Sequence, residues 1–405
     1  MRKLSVVLVA LVLTANIAVA GGVTTHQDTI RTKKQTTYYD PIDYNAVLYN
    51  LERASQKTFA QRLYSALTQP LLQRDNIDVS SHFGVAYTQE TNFAFTAAAT
   101  ASYKSTKTSS LTSVASLAAM VSVNGFFRVQ TAGVNHFSED DKLQYEIGGG
   151  SMPVKFWGLG YNTAISNIRT KYTRRDFNTS ARYMHHFVGG LWAGAGLNLR
   201  YDKGDKFDSI GESFLSLGGQ TVRSVFTTGI SVSGVYDTRD NDHTTTRGLY
   251  VALTYELRPK AFGDYHKTLN HFTAQIDYFV PLWQGSVMAI DAYGDLWSSD
   301  APWLYWASIG GSERMRGYYF GRYTDRKMIT AQLELRQAVW GPFGVCVWGG
   351  AGTIFDKCKE FDASKILPNG GFGVRVAAGD RTVLRVDYGF GRKSHGLIIN
   401  VNEAF

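Results

Sequence analysis

Along residues 326–340 apolar and polar side chains alternate. Ile329, Ala331, Leu333, Leu335 and Val339 fall on one face, and Gln332, Glu334 and Arg336 on the other. A period of two is the signature of a strand with two unlike faces. Between 382 and 392, Leu384, Val386, Tyr388 and Phe390 oppose Arg385 and Asp387 in the same way. From about Asp78 onward the chain is a succession of such segments broken by turns. About sixteen strands are predicted, at 79–89, 92–104, 111–122, 124–136, 141–151, 170–187, 189–203, 221–237, 247–261, 269–282, 285–298, 326–340, 343–355, 369–378, 382–392 and 395–405. A soluble sandwich also alternates, but its apolar face turns inward and its strands are usually shorter. Polar faces carrying charges of both signs suit the lumen of a barrel whose outer wall meets lipid.

The connections sort by length. Those from even to odd strands are tiny, as at Leu282 to Gly285, Trp340 to Phe343 and Ala378 to Thr382. Those from odd to even strands include 152–169, 204–220, 299–325 and 356–368. Short turns at one end and long loops at the other mark an outer-membrane barrel, and a sandwich has no reason to sort its loops so. The fold class expected is therefore all-β, a 16-stranded antiparallel transmembrane β-barrel over 78–405, ahead of which lies a short helical segment. No stretch of about 18 apolar residues is present to cross as a helix.

Before the strands the pattern differs. Arg2 and Lys3, the apolar run Leu4–Leu13 and Ala18-Val19-Ala20 read as a secretory signal over residues 1–20. In the segment 21–77, Val47, Leu48, Leu51, Phe59, Leu63, Leu67 and Leu71 recur at helical spacing, which predicts two short helices serving as a periplasmic lead-in or a plug.

Composition agrees with this picture and narrows it. Gly 40, Tyr 23 and Phe 23 are abundant and Pro 8 is scarce, as in an all-β chain with many tight turns. Lys+Arg 42 against Asp+Glu 34 gives a net charge of +8, spread without a basic run beyond Lys33-Lys34, so no nucleic-acid partner is expected. No G-x-S-x-G occurs, and no cofactor, metal or catalytic set is expected. His185 and His186 are adjacent and point to opposite faces of a strand, so they cannot share a metal. Cys346 and Cys358, set along an extended strand, would lie roughly 35–40 Å apart, beyond disulfide reach, so unpaired thiols are expected.

One stretch breaks the alternation. Gly310 to Tyr323 reads GGSERMRGYYFGRY, with glycines and charges that neither pair nor bury as a strand. It is predicted to be a long ordered loop between the eleventh and twelfth strands. This segment resembles the Arg-Gly-aromatic loop motif of the BamA/TamA-like outer-membrane assembly-factor superfamily, the bacterial surface antigen barrels. The segment Tyr236 to Gly248, YDTRDNDHTTTRG, resembles that family's D-x-R-D…R-G turn, and QLELRQAVWGPFG, GAGTIFD and LRVDYGFG resemble its closing strands. Together these cover roughly the last 170 residues, with FWGLGYN a further piece upstream.

The resemblance implies that the loop folds back into the lumen, with Arg316, Gly317 and Tyr318 as its motif and Arg316 paired to acids on the inner wall. Glu334 matches the family's acidic position on strand twelve. On strand thirteen the family carries an aspartate where this chain has Gly350, and Asp387 is the candidate substitute. Asp237, Arg239, Asp240 and Gly248 are expected to pin a periplasmic turn by side-chain hydrogen bonds. The terminal Phe405, on the face of Leu397, Ile399 and Val401, resembles the C-terminal assembly signal of outer-membrane proteins, placing an aromatic at the interface.

The family's better-known members carry POTRA receptor domains before the barrel, and the segment 21–77 is too short for one, which implies a barrel-only member. The expected role is non-enzymatic: insertion or translocation of proteins or lipids, with client proteins or envelope-complex subunits as partners beside the outer-membrane bilayer and its lipopolysaccharide. The alternatives are a passive, porin-like channel and the barrel subunit of a multi-protein envelope complex.

Overall fold

The computed structural model describes residues 72–74, 77–104, 111–241, 244–378, 382–401 and 403–405. Its alternating segments form sixteen strands closed into one antiparallel barrel. In chain order these are β1 (Ile77–Thr88), β2 (Asn92–Tyr103), β3 (Ser113–Ser122), β4 (Phe127–His136), β5 (Asp141–Phe156), β6 (Thr170–Val188), β7 (Leu191–Asp205) and β8 (Ser224–Asp237). The second half comprises β9 (Gly248–Arg258), β10 (Leu269–Pro281), β11 (Ser286–Trp297), β12 (Lys327–Trp340), β13 (Phe343–Phe355), β14 (Leu367–Ala378), β15 (Thr382–Gly391) and β16 (Ser394–Val401). Each pairs with its successor, and β16 returns to β1.

Burial inverts the rule for a water-soluble sheet. On β12 the apolar residues Ile329 and Leu333 are each 45% exposed on the outer wall, whereas Glu334 is 0% exposed inside. Phe95, Leu117, Leu197, Val232, Ile276, Val347 and Phe372 continue the exposed apolar belt around the barrel. A wall apolar on the outside and charged within is stable only where the surrounding medium is itself apolar, so the sandwich reading is excluded and the chain crosses a membrane with strands. Among the described residues no helix is long and apolar enough to cross one.

The loops sort as the spacing predicts. At the short-turn end the outer rim carries exposed aromatic residues, Trp283, Trp340 and Phe343. At the other end the connections carry helices α1 (Tyr161–Ser166) and α2 (Ser209–Leu217), and the long excursion between β11 and β12. Helix α2 starts where Asp208 accepts the Gly211 N–H at 2.8 Å, and the Thr170 hydroxyl bonds the same carboxylate. Phe214 and Leu215 of α2 then pack with Phe156, Tyr172, Trp303 and Tyr305 into an aromatic cluster across the mouth.

Two strand boundaries differ from the sequence-based spans by four residues or more. β5 runs on to Phe156 instead of ending at 151, because Pro153 and the residues after it keep pairing with the long β6. β16 ends at Val401, not 405, and residues 403–405 leave the sheet. The signal sequence predicted over 1–20 and the helices predicted before residue 72 lie outside the described residues. A short strand, Leu72–Arg74, precedes β1 and pairs with Ile77–Val79.

Candidate functional site: a loop locked into the lumen

Between β11 and β12 the chain first packs over the mouth through Trp303–Tyr305. It then forms a two-stranded ribbon, Ala307–Ile309 against Tyr323–Asp325, and the ribbon's tip carries Gly310 to Arg322 into the barrel. Met315, Tyr318 and Tyr323 seal the tip's apolar side against Ile309, Met328, Ile354 and Leu367. The polar side faces the inner walls of β12 to β15.

Arg316 is 0% exposed and is the centre of that contact. Its guanidinium bonds the Glu334 carboxylate on β12 and donates to Asp387 Oδ2 on β15 at 2.8 Å. It also lies 3.8 Å from the ring centroid of Trp348 on β13. Both acids have further partners. Glu334 Oε1 accepts from Arg336 at 2.8 Å and Arg375 at 3.4 Å; Asp387 accepts from Arg375 at 2.6 Å and Arg385 at 3.2 Å. Glu403 closes the network, 2.8 Å from Arg375 and 3.7 Å from Arg336. A guanidinium in so dry a place is tolerable because two carboxylates and a ring face match its charge, although its buried Nε–H finds no partner.

The loop backbone sits directly on β15. Gly317 has φ +103°, and a Cβ there would meet the Gly389 carbonyl carbon at 2.6 Å, while a Cβ on Gly389 would meet that of Arg316 at 2.6 Å. Only two glycines permit this approach. Beside them Gly391 leaves room for the Tyr318 ring, whose hydroxyl donates to the Pro368 carbonyl at 2.7 Å and accepts the Arg392 N–H at 2.6 Å. At Gly350 a side chain has no space: a Cβ would lie 2.7 Å from Asn369 Oδ1. Asn369 fills that place and its amide donates to the Arg316 carbonyl at 3.3 Å.

The tip also spans the junction of the first and last strands. Among the described residues, Ile399↔Tyr87 is the one registered pair between β16 and β1, whereas β15 and β16 pair from Leu384↔Val401 to Gly391↔Ser394. Across this seam the Gly317 carbonyl accepts from Ser394 Oγ at 2.7 Å and from Gln89 Nε2 at 3.4 Å. The Phe320 N–H donates to Glu90 Oε1 at 2.7 Å, and Arg322 donates to the Lys393 carbonyl at 2.8 Å. The loop thus ties the β1–β2 turn to the β15–β16 turn.

The structure brings together Arg316, Gly317, Tyr318, Glu334 and Asp387, all named from the sequence. Sequence reasoning set Arg336 on the polar face with Glu334 but gave it no partner, and it missed Trp348, Arg375, Glu403 and the seam contacts Gln89, Glu90 and Ser394. Inward parity on β13 and β14 could have found Trp348 and Arg375; nothing local marks Gln89 or Glu90. The turn residues lie apart from the loop. Arg239 donates to both Asp237 oxygens at 2.9 and 2.8 Å, Asp240 accepts the Thr246 N–H at 2.9 Å, and Gly248 takes φ +120° beside the Thr238 carbonyl. The expectation for Phe405 is corrected. Its ring does not share the outer face of β16 but lies inside, 6.3 Å from the Phe279 ring, and its carbonyl accepts from Arg336 at 3.0 Å. The chain turns inward because Glu403 pairs with Arg375 and draws the end into the charged lumen. Cys346 is a buried free thiol, and no cluster of metal-ligating side chains occurs among the described residues.

A closed sixteen-stranded barrel whose eleventh connection returns into the lumen and docks an Arg-Gly-Tyr tip on the closing strands defines a class of membrane barrel. The Omp85 superfamily domain matches residues 53–396, and the chain belongs to that superfamily. Its fold is similar to BamA from Haemophilus ducreyi lacking POTRA domains 1–3, at TM-score 0.57 and 13% identity, over 82% of this chain and 70% of that one. It is also similar to CdiB from Acinetobacter baumannii (TM-score 0.53, 10% identity, 82% of this chain and 60% of that one). CdiB from Escherichia coli gives TM-score 0.54 at 10% identity, over 82% of this chain and 63% of that one. The chain thus spans less than two thirds of both CdiB chains. No curated protein matches the sequence.

Proposed function

We propose that this barrel sits in the outer membrane and takes part, without catalysis, in inserting or translocating proteins or lipids there, its seam serving as the point of engagement. The observation that carries this reading is the contrast at the seam. Its own backbone ladder registers one pair, and the lumen loop bridges the two turns above it. A junction closed by side chains of a loop can open without breaking a full ladder, and an exposed strand edge accepts an incoming strand by backbone pairing. The Arg316 network supports the same reading, since it fixes β12 to β15 while leaving β16 and β1 to part. The aromatic cluster across the mouth speaks against the alternative of a passive, open channel. Client proteins or subunits of an envelope complex are the partners proposed.

The test is a cross-link. Tyr87 and Ile399 stand directly opposite, and such pairs have Cα atoms about 4.5–5.5 Å apart, within disulfide range. Tyr87→Cys with Ile399→Cys, in a chain with Cys346 and Cys358 replaced by Ala, is reconstituted in vesicles and offered a urea-unfolded eight-stranded outer-membrane barrel. The expected result is accelerated folding of that barrel under reducing conditions and none after oxidation. Equal acceleration by the oxidised form, or steady large ion conductance without any acceleration, overturns the proposal.

A further inference from the structure

On the outer wall, one patch at the long-loop end goes against the usual economy of strand pairing. Arg175 on β6 stands directly opposite Lys203 on β7, and four residues along β6, Lys171 stands opposite Lys155 on β5. Like charges placed directly across an antiparallel pair destabilise it. The chain relieves this only in part. Asp205 Oδ2 lies 3.5 Å from Arg175 and 4.0 Å from Lys203, so a single oxygen serves both cations. Lys155 turns away, its ammonium 4.9 Å from the Tyr319 ring centroid. Lys171 is exposed and has no ion-pair partner among the described residues.

Directly below this basic tier the wall becomes aromatic and then aliphatic. Phe177 pairs with Tyr201, and Tyr201 with Phe226, one outward step toward the short-turn end. Phe177 is 46% and Phe226 37% exposed, and below them come Leu199, Leu197 and Ile230, all exposed. Cations above, rings at the boundary and aliphatic residues beneath match the profile of a lipid from headgroup to acyl chain.

We propose that Lys171, Arg175 and Lys203 form a binding site for the phosphorylated headgroup of an outer-leaflet lipid, whose acyl chains run down over Phe177, Tyr201 and Phe226. Charge complementarity carries the choice of occupant: three cations face one carboxylate, and the Arg175 fork suits phosphate oxygens. The apolar tiers directly beneath favour a lipid over a free anion. The proposal rests on the outer-membrane reading, which gives the long-loop end its leaflet.

The test uses the full chain in zwitterionic detergent, with bound lipid counted by native mass spectrometry. Diphosphoryl lipid A is the probe, and dephosphorylated lipid A and inorganic phosphate are the comparisons. The triple variant Lys171→Gln, Arg175→Gln, Lys203→Gln is expected to bind diphosphoryl lipid A on the order of a hundredfold more weakly. A second triple variant, Lys357→Gln, Lys359→Gln, Lys365→Gln, removes as much charge from the β13–β14 loop and is expected to bind as the native chain does. Unchanged heat-modifiable migration shows that both variants remain folded. Equal lipid A binding by the first variant, an equal loss in the second, or displacement by millimolar inorganic phosphate overturns the site. Outer-membrane fractionation separates the two readings: a native chain absent from that fraction removes the outer-membrane reading, whereas a correctly fractionated first variant with native affinity removes only the lipid site.

Discussion

Replacing Glu334 should release the lumen loop more than replacing Arg316 itself. Arg316 is fully buried among Glu334, Asp387 and the Trp348 ring, so Arg316→Ala removes two charge-assisted bonds and a ring contact. Yet neither acid is then left alone. Glu334 keeps Arg336 and Arg375, and Asp387 keeps Arg375 and Arg385. Breaking a buried pair usually costs about 3–5 kcal/mol because a charge is left uncompensated. With the acids still paired, the cost here falls at the low end, about 3 kcal/mol, which makes release of the loop on the order of a hundredfold more frequent. Glu334→Gln has the opposite consequence. It leaves the guanidiniums of Arg316, Arg336, Arg375 and Arg385 around Asp387 and Glu403 alone, an unbalanced dry cluster, and the cost moves to about 5 kcal/mol. Arg316→Lys, which keeps the charge but loses the fork and the ring stacking, should fall between native and Arg316→Ala. Hydrogen exchange and limited proteolysis over 310–323 measure the release, and heat-modifiable migration checks that the barrel is intact. If Arg316→Ala exchanges faster than Glu334→Gln, or neither differs from the native chain, the charge balance described here is wrong.

Gly389→Ala tests seating without touching a charge. The added Cβ meets the Arg316 carbonyl at 2.6 Å, so the tip should lift from β15 and exchange in 310–323 should rise; native protection would show that the strand yields. A pH effect is expected at the ribbon. Burial, with Asp356 nearby, raises the Asp325 carboxyl to about 6, against about 3.9 for a free aspartate. The folded ribbon therefore holds its proton more tightly than the open one, and its stability should fall as pH rises from about 4 to 6 and level off above. Exchange at 307–309 and 323–325, corrected for intrinsic rates, measures this, and Asp325→Asn should abolish the dependence; greater protection at the higher pH would contradict it. At the turn between β8 and β9, Asp240→Ala loses acceptors for the Thr246 and Arg247 N–H groups and should cost about 1 kcal/mol, seen as faster exchange over 238–248 with the lumen loop unaffected.

The alternation of side chains by itself determined the barrel. Sixteen two-faced strands, with the longest loops all at one end, leave one way to satisfy every backbone group in an apolar medium. Parity alone turned Glu334 and Asp387 inward, since a strand's period of two holds whatever lies around it. The resemblance of GGSERMRGYYFGRY to a known loop motif placed Arg316 near them. Tertiary structure decided the rest, because each remaining feature depends on atoms distant in sequence meeting in one place. Gly317 and Gly389 look like ordinary turn and strand glycines until their backbones touch. Gln89 and Glu90 carry no local signal, and they matter only because barrel closure brings the first turn beside the last. Phe405 continues the apolar face of β16 on paper, yet the charge of Glu403 two residues earlier has stronger partners inside, and the chain follows the ion pair. Alternation specifies which way each side chain points; only closure of the barrel decides which of them meet.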